Sequence, residues 1–181
     1  MKYLIKNIAV VNEGKIFYSD VLINNQRIEK MASSINLPAN AEVKEINGEN
    51  LHLLPGFIDD QVHFRDPGLT HKATIASESK AAAAGGITSF MDMPNTIPNT
   101  LTQKLLEEKY SIASASSVVN YSFFMGINQD NLEEALLTDP ENVCGITDDG
   151  LYFNNDHGIL ANYPDYLEKL FARTSILTAL H

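Results

Sequence analysis

Four short stretches of this chain carry side chains able to bind or activate a small molecule. The first is Gln61-Val62-His63-Phe64-Arg65-Asp66, in which Gln61 and His63 stand two apart and so share one face of a strand. A His-x-His pair in that setting can clamp a metal ion, and Zn2+ suits imidazole and carboxylate ligands. Here Gln61 takes the first place, and a neutral amide is a poor ligand for Zn2+. Taken alone, His63 reads better as a hydrogen-bonded structural histidine than as a ligand. The second stretch, Asp92-Met93-Pro94-Asn95, adds an amide. The third, Thr147-Asp148-Asp149-Gly150, offers two carboxylates, although an Asp-Gly pair alone reads first as a turn. The fourth is His181, which ends the apolar run Ser175-Ile-Leu-Thr-Ala-Leu-His181, an unusual place to leave an imidazole unused. Arg65 can fork onto a carboxylate and Asn95 can add a donor, but both residue types suit a surface equally well. His52, His71 and His157 fall away from these stretches and read as surface or loop residues. Cys144 sits in an apolar segment and reads as a small core filler.

The elements that must position these residues follow from periodicity. Tyr3–Val11, Ser19–Asn24, Ile28–Met31 and Glu42–Ile46 read as short strands, with a turn at Asn24–Arg27, and together suggest a small antiparallel unit. From residue 51 strands and helices alternate. An apolar run leads into Gln61 and His63, the Ala-rich stretch Thr74–Ala84 is helical and ends at Gly85-Gly86, and Ile87–Met93 is a buried-type strand. Thr100 with Gln103 predicts a capping box for a helix to about Ser114. Strands at Val118–Met125, Val143–Thr147 and Ile176–Leu180 alternate with helices at Asp130–Leu137 and Tyr163–Phe171. That rhythm implies βαβ units on a parallel sheet. An open doubly wound sheet would want a phosphate-binding glycine loop after a strand, whereas Gly85-Gly86 follows a helix. The reactive residues instead gather at the C-terminal ends of several strands, as in a (β/α)8 barrel. A whole barrel takes about 250 residues, so five strands suggest the front portion of one.

Composition narrows the function classes. The 181 residues carry 13 Lys+Arg and 23 Asp+Glu, a formal net charge of −10, with 44% hydrophobic residues. Residues 1–80 hold 9 basic and 10 acidic side chains, and residues 81–181 hold 4 and 13. No basic stripe exists for nucleic acid or an anionic membrane. No apolar run reaches the length of a spanning helix, and the first residues do not read as a secretory signal. One cysteine makes no internal disulfide and no Cys-rich zinc module, which predicts a reducing, cytoplasmic setting.

Read jointly, Pro55-Gly-Phe-Ile-Asp-Asp-Gln-Val-His-Phe-Arg-Asp-Pro-Gly68, Ala84-Gly-Gly-Ile-Thr-Ser-Phe-Met-Asp-Met-Pro-Asn-Thr96 and Ile146-Thr-Asp-Asp-Gly150 resemble the dihydroorotase family of cyclic amidohydrolases. The resemblance runs along the whole chain. It implies an α/β fold in which residues 1–52 form a small N-terminal β-sandwich segment and residues 53–181 the first part of a metal-dependent (β/α)8 barrel. It implies a cytoplasmic zinc enzyme, with one or two Zn per chain, that reversibly cyclises N-carbamoyl-L-aspartate to dihydroorotate in pyrimidine biosynthesis. A metal-activated hydroxide would attack the ring amide. By the resemblance, His63 is the second member of the zinc pair, Arg65 and Asn95 hold the substrate carboxylate with His63 beside them, and Asp149 bridges the metals. Asp148 is the fallback if the match slips by one. His181 ligates the second metal, and the proton-shuttling aspartate is expected beyond residue 181. A homodimer is implied, and the partner is a small-molecule substrate. Gln61 departs from the pattern and puts one metal position in question. Two rival readings remain: another cyclic amidase such as a hydantoinase or allantoinase, and a non-catalytic dihydroorotase-like scaffold subunit.

Overall fold

Apolar residues recurring along Lys2–Asn12 (β1) make it the central strand of a sheet in the computed structural model, which describes residues 1–151 and 164–180. The chain divides into two units, Met1–Pro55 and Gly56–His181. In the first, Lys15–Asn24 (β2) pairs antiparallel with β1, and Arg27–Ala32 (β3) pairs antiparallel with β2. Lys44–Asn47 (β4) and His52–Leu53 (β5) both run parallel to β1 on its other side. The unit is therefore one mixed sheet and not the all-antiparallel unit expected from the strand pattern. The reason is the segment 33–43, which is long enough to carry the chain across the sheet, and a parallel pairing requires such a crossover.

Register along β1 breaks at a bulge. Ile5 faces Val21 while Ile8 faces Ser19, so β1 holds one residue more than its partner, and Asn7 takes φ 54°. The extra residue returns Ile5, Ile8 and Val10 to one face with Val21, whereas Leu4, Leu22 and Ile35 pack together in a second cluster. A bulge leaves a backbone N–H outside the ladder, and the buried carboxylate of Asp20 takes it. Asp20 Oδ1 accepts from Asn7 N at 2.8 Å and Oδ2 from Ile35 N at 2.9 Å, with Lys6 Nζ 3.8 Å away. Burial pushes the Asp20 carboxyl up, but the two N–H donors and Lys6 outweigh it and hold the pKa below its ordinary 3.8.

The second unit alternates strand and helix: Phe57–Val62 (β6), Ile75–Ala84 (α1), Ile87–Asp92 (β7), Gln103–Ser116 (α2), Asn120–Gly126 (β8), Leu132–Leu136 (α3), Gly145–Thr147 (β9), Pro164–Arg173 (α4) and Thr178–Ala179 (β10). The five strands are parallel and lie side by side in chain order. Strand order never reverses, so this is not a doubly wound sheet with a switch point but a half-barrel. Thr74 caps α1 in a reciprocal pair with Ser77. The predicted Thr100–Gln103 box does not form. Thr102 caps α2 by accepting from Leu105 N, while Gln103 Nε2 donates to Glu134 O and Thr138 Oγ1. Gln103 is thus spent on tying α2 to α3. Leu106, Lys109 and Ala113 form the buried stripe of α2, and Phe64, Ile75, Phe90 and Phe123 join two of them, Leu106 and Ala113, in one core cluster. A second cluster joins Met125, Ile127, Ala135, Ile146 and Leu170. Cys144, expected inside the strand as a core filler, precedes β9 and is half-buried, and that burial pushes its thiol up. No helix among the described residues is long and apolar enough to cross a membrane.

Asp20→Asn keeps the side-chain shape but replaces one acceptor with a donor facing Asn7 or Ile35. We expect a loss of about 2 kcal/mol at pH 7, the range for hydrogen bonds to a charged group. Because the folded pKa is the lower one, Asp20 contributes fully above the unfolded value of 3.8. The contribution fades as pH falls through the folded value, so the gap to wild type should narrow there. Chemical denaturation at pH 7 and pH 3 reads both effects.

Candidate active site

The strand ends of β6, β7 and β9 bring their side chains to one place. β6 closes at Val62, so Gln61 lies on the strand and His63 just past it. Both still reach the carboxylate of Asp149, beyond β9. Gln61 Nε2 donates to Asp149 Oδ2 at 2.7 Å, and His63 Nε2 stands 3.7 Å from the same oxygen. On the other side of the ring, His63 Nδ1 lies 3.1 Å from Asn95 Oδ1. An amide oxygen only accepts, so Nδ1 carries the hydrogen there, and a neutral ring presents its lone pair at Nε2 toward Asp149. Asp149 and Asn95 are buried at 8% and 4% exposure, while the His63 side chain is 28% exposed and gives the cluster its opening.

Arg65 enters from the loop after β6. Its φ of 67° is a left-handed conformation that costs a non-glycine residue roughly 1–2 kcal/mol. The turn is closed by Leu69 N donating to Arg65 O at 3.0 Å. Among the described residues its guanidinium makes one long contact, Nη1 to Asn95 O at 3.5 Å, which leaves most of its donors for water or a ligand. The next residues bind the loop after β7: Ile97 N donates to Pro67 O, and Gly68 at φ 87° sits so close that a Cβ would meet Ile97 O at 2.0 Å. The Asp66-Pro67 and Ile97-Pro98 peptides are both cis.

Asp149-Gly150 is both a turn and part of the site. Leu151 N donates to Asp148 O and Asp149 N to Thr147 Oγ1, and the turn aims the Asp149 carboxylate at Gln61 and His63. Asp148 is buried at 2% exposure, and its carbonyl closes this turn. Gly150, at φ 72°, packs on Asn95, whose buried Nδ2 has no hydrogen-bond partner among the described residues. The structure thus brings Gln61, His63, Arg65, Asn95 and Asp149 together. His181 and His157 lie outside the described residues. A cleft of about 890 Å3 between Thr102, Asn131, Glu133 and Tyr166 contains none of the five.

Among the described residues, His63 and Asp149 are the pair that could share a metal ion. Two tetrahedral ligands about 2.1 Å from Zn2+ stand roughly 3.4 Å apart, close to the His63–Asp149 separation. Gln61 is too near Asp149 to share an ion with it, and it turns an N–H toward the carboxylate where a ligand would present a lone pair. No group of three His, Cys, Asp or Glu side chains forms a cation site among the described residues.

Comparison with known proteins places this geometry. A family profile described as "Dihydro-orotase-like" matches residues 51–161. The dihydroorotase of Lactococcus lactis subsp. lactis is 38% identical over 169 residues, 88% of this chain and 38% of that protein. The dihydroorotase of Halobacterium salinarum is 38% identical over 123 residues, 66% of this chain and 27% of its own length. Among solved structures, the L-hydantoinase (dihydropyrimidinase) of Arthrobacter aurescens superposes with a TM-score of 0.72 at 25% identity, covering 80% of this chain and 32% of that one. The chain therefore spans between about a quarter and two fifths of the length of these relatives.

Gly150→Ala tests the closeness of the turn to Asn95. A Cβ would stand 2.1 Å from Asn95 Nδ2, in a backbone conformation that already disfavours alanine. We expect a loss of about 2 kcal/mol or more. Thermal unfolding that matches wild type would show that the two do not pack as described.

Proposed function

The chain belongs to the dihydro-orotase-like family, and from that premise we propose that the complete protein is a dihydroorotase. It would close N-carbamoyl-L-aspartate to dihydroorotate with loss of water, and reopen the ring in reverse. The observation that supports this best is the convergence of His63, Asn95 and Asp149 from three separate strand ends, with Arg65 at the rim. The substrate carries a carboxylate. A guanidinium with unspent donors grips it in two parallel hydrogen bonds, and Asn95 Nδ2, which has no hydrogen-bond partner among the described residues, would add a third donor. A hydantoin ring carries no carboxylate, so Arg65 favours dihydroorotate over that substrate class.

Zinc belongs to the same proposal. His63 Nε2 and Asp149 would hold the ion, with further ligands from beyond the described residues, and it would supply Lewis acidity and a lowered water pKa. The chain's own residues do the rest. Asn95 fixes the His63 tautomer through Nδ1, Arg65 orients the substrate, and Phe64, between His63 and Arg65 in sequence, anchors the loop by packing its ring on Phe90. Proton transfer to the leaving nitrogen falls to an acid that these residues do not supply.

Arg65→Ala in the complete protein should cost roughly 2–4 kcal/mol in kcat/KM, the worth of a charge-assisted bidentate contact, with Asn95→Ala costing less. Wild-type kcat/KM for Arg65→Ala removes the assignment. Asp149→Asn should lose metal and turnover together, whereas Asp148→Asn should be milder; the reverse order would make Asp148 the ligand.

A second reading, a dihydroorotase-like scaffold without catalysis, is favoured by Gln61, which fills a ligand position with a hydrogen bond. Gln61→His followed by zinc titration separates the two. One added Zn2+ bound tightly per chain shows that Gln61 displaces an ion, and unchanged stoichiometry shows that the position holds none.

A further inference from the structure

We infer that Lys109 is a positioning residue: its buried ammonium joins the two strand ends that carry His63, Arg65 and Asn95. The inference rests on reading those residues as the binding site. Lys109 lies on the inner stripe of α2 at 0% exposure. Its Nζ is 2.7 Å from Asp92 Oδ2 and 2.7 Å from Met93 O, and stands 4.8 Å from the centre of the Phe123 ring. Met93 O thus accepts a hydrogen from the ammonium, while Asp92 and the ring face balance its charge.

What the ammonium holds is the point. The pairing of β6 with β7 shifts register between Asp59 and Val62, and the ladder does not extend to Phe64. The carboxylate of Asp92 replaces it. Oδ1 accepts from Phe64 N at 2.9 Å, while Oδ2 meets Lys109. Phe64 lies between His63 and Arg65. Met93, whose carbonyl takes the other Lys109 hydrogen bond, donates its own N–H to Val62 O at 2.9 Å and precedes Asn95 by two residues. One cation therefore fixes both backbones from behind, and the His63–Asn95 contact at 3.1 Å needs both in place.

Stability alone does not call for this arrangement. Replacing a buried ion pair by apolar groups of equal volume is often neutral or stabilising, because both charges must be desolvated. An apolar side chain at 109 would fill the space but offer nothing to Asp92 or to Met93 O. Burial pushes the Lys109 pKa down, and the carboxylates of Asp92 and then Asp66 act against that shift.

The test uses the complete protein with Lys109→Met and with the double variant Asp92→Asn/Lys109→Met, which leaves no unpaired buried charge. Three readouts are compared with wild type: hydrogen exchange at the Phe64 amide, the ring 15N shifts of His63, and calorimetric binding of dihydroorotate. We expect Phe64 exchange to accelerate about tenfold or more relative to the Phe123 amide, and His63 to lose its single Nδ1–H tautomer. Dihydroorotate binding should weaken about tenfold or more while Val21 exchange stays unchanged. A folded double variant with wild-type exchange at Phe64 and wild-type His63 shifts overturns the inference, since a purely structural pair lowers Tm without moving either. If neither variant folds, wild-type exchange decides. Phe64 protected to the level of global unfolding supports the inference, and fast exchange overturns it. Failure of the wild-type protein to bind dihydroorotate overturns the functional reading alone, because the exchange and 15N arms need no ligand.

Discussion

Parallel pairing of neighbouring strands in chain order is the constraint on which the second unit depends. Each helix returns the chain to the same starting side, so every strand delivers its last residues to the same rim. Gln61, Asn95 and Asp149 come from three such ends, and no local sequence interaction could bring residues 88 apart to 2.7 Å. The apolar strand interiors make this affordable. Phe90, Phe123, Met125 and Ile146 are buried at 1% or less and hold the strands in register against the helices. Polar groups can then gather at the rim, where solvent and a ligand are within reach.

Where the pairing fails, both units apply one remedy. In the first sheet the bulge at Asn7 frees an N–H that Asp20 accepts, and in the half-barrel the register shift in β6 leaves Phe64 N to Asp92. Each carboxylate uses its second oxygen on another segment: Ile35 N in one case, Lys109 in the other. The difference is the environment. Asp20 has two neutral donors and a partly exposed lysine, whereas Asp92 faces a cation with no access to water. The first arrangement is a tie between strand and crossover; the second couples a helix to the site.

Much of this was legible in the sequence because it follows from periodicity and motif. The alternation from residue 51 onward specified the parallel strands, and the reactive residue types at strand ends, read with the family resemblance, picked out His63, Arg65, Asn95 and Asp149, with Gln61 as a departure and His181 outside the described residues. What escaped depended on partners far along the chain. Thr100 with Gln103 has the pattern of a capping box, yet Glu134 and Thr138 capture the glutamine and Thr102 takes the cap. The parallel placement of β4 depends on where residues 33–43 lead, which no strand pattern encodes. Lys109 is hardest to see. A lysine at the third position of an amphipathic stripe reads as a solvated face, and only the buried Asp92 on a strand 17 residues earlier reverses that reading.

Gln61 and Gly150 show why turn and site were never competing explanations of Asp148-Asp149-Gly150. An Asp-Gly turn that simply reverses the chain could point its aspartate to water. Here Gly150 lies flat against Asn95, where any Cβ would collide with that amide, and the Asp149 carboxylate faces inward to Gln61. Inward, the carboxylate accepts from the Gln61 amide N–H on β6, with the His63 ring 3.7 Å away just past the strand. A histidine in place of Gln61 would offer the carboxylate a second ring in competition with His63. The glutamine instead compensates part of the charge on Asp149 with a neutral donor and leaves His63 Nε2 the better placed of the two for a cation. Gln61 is thus held by the same short contact that the turn makes possible.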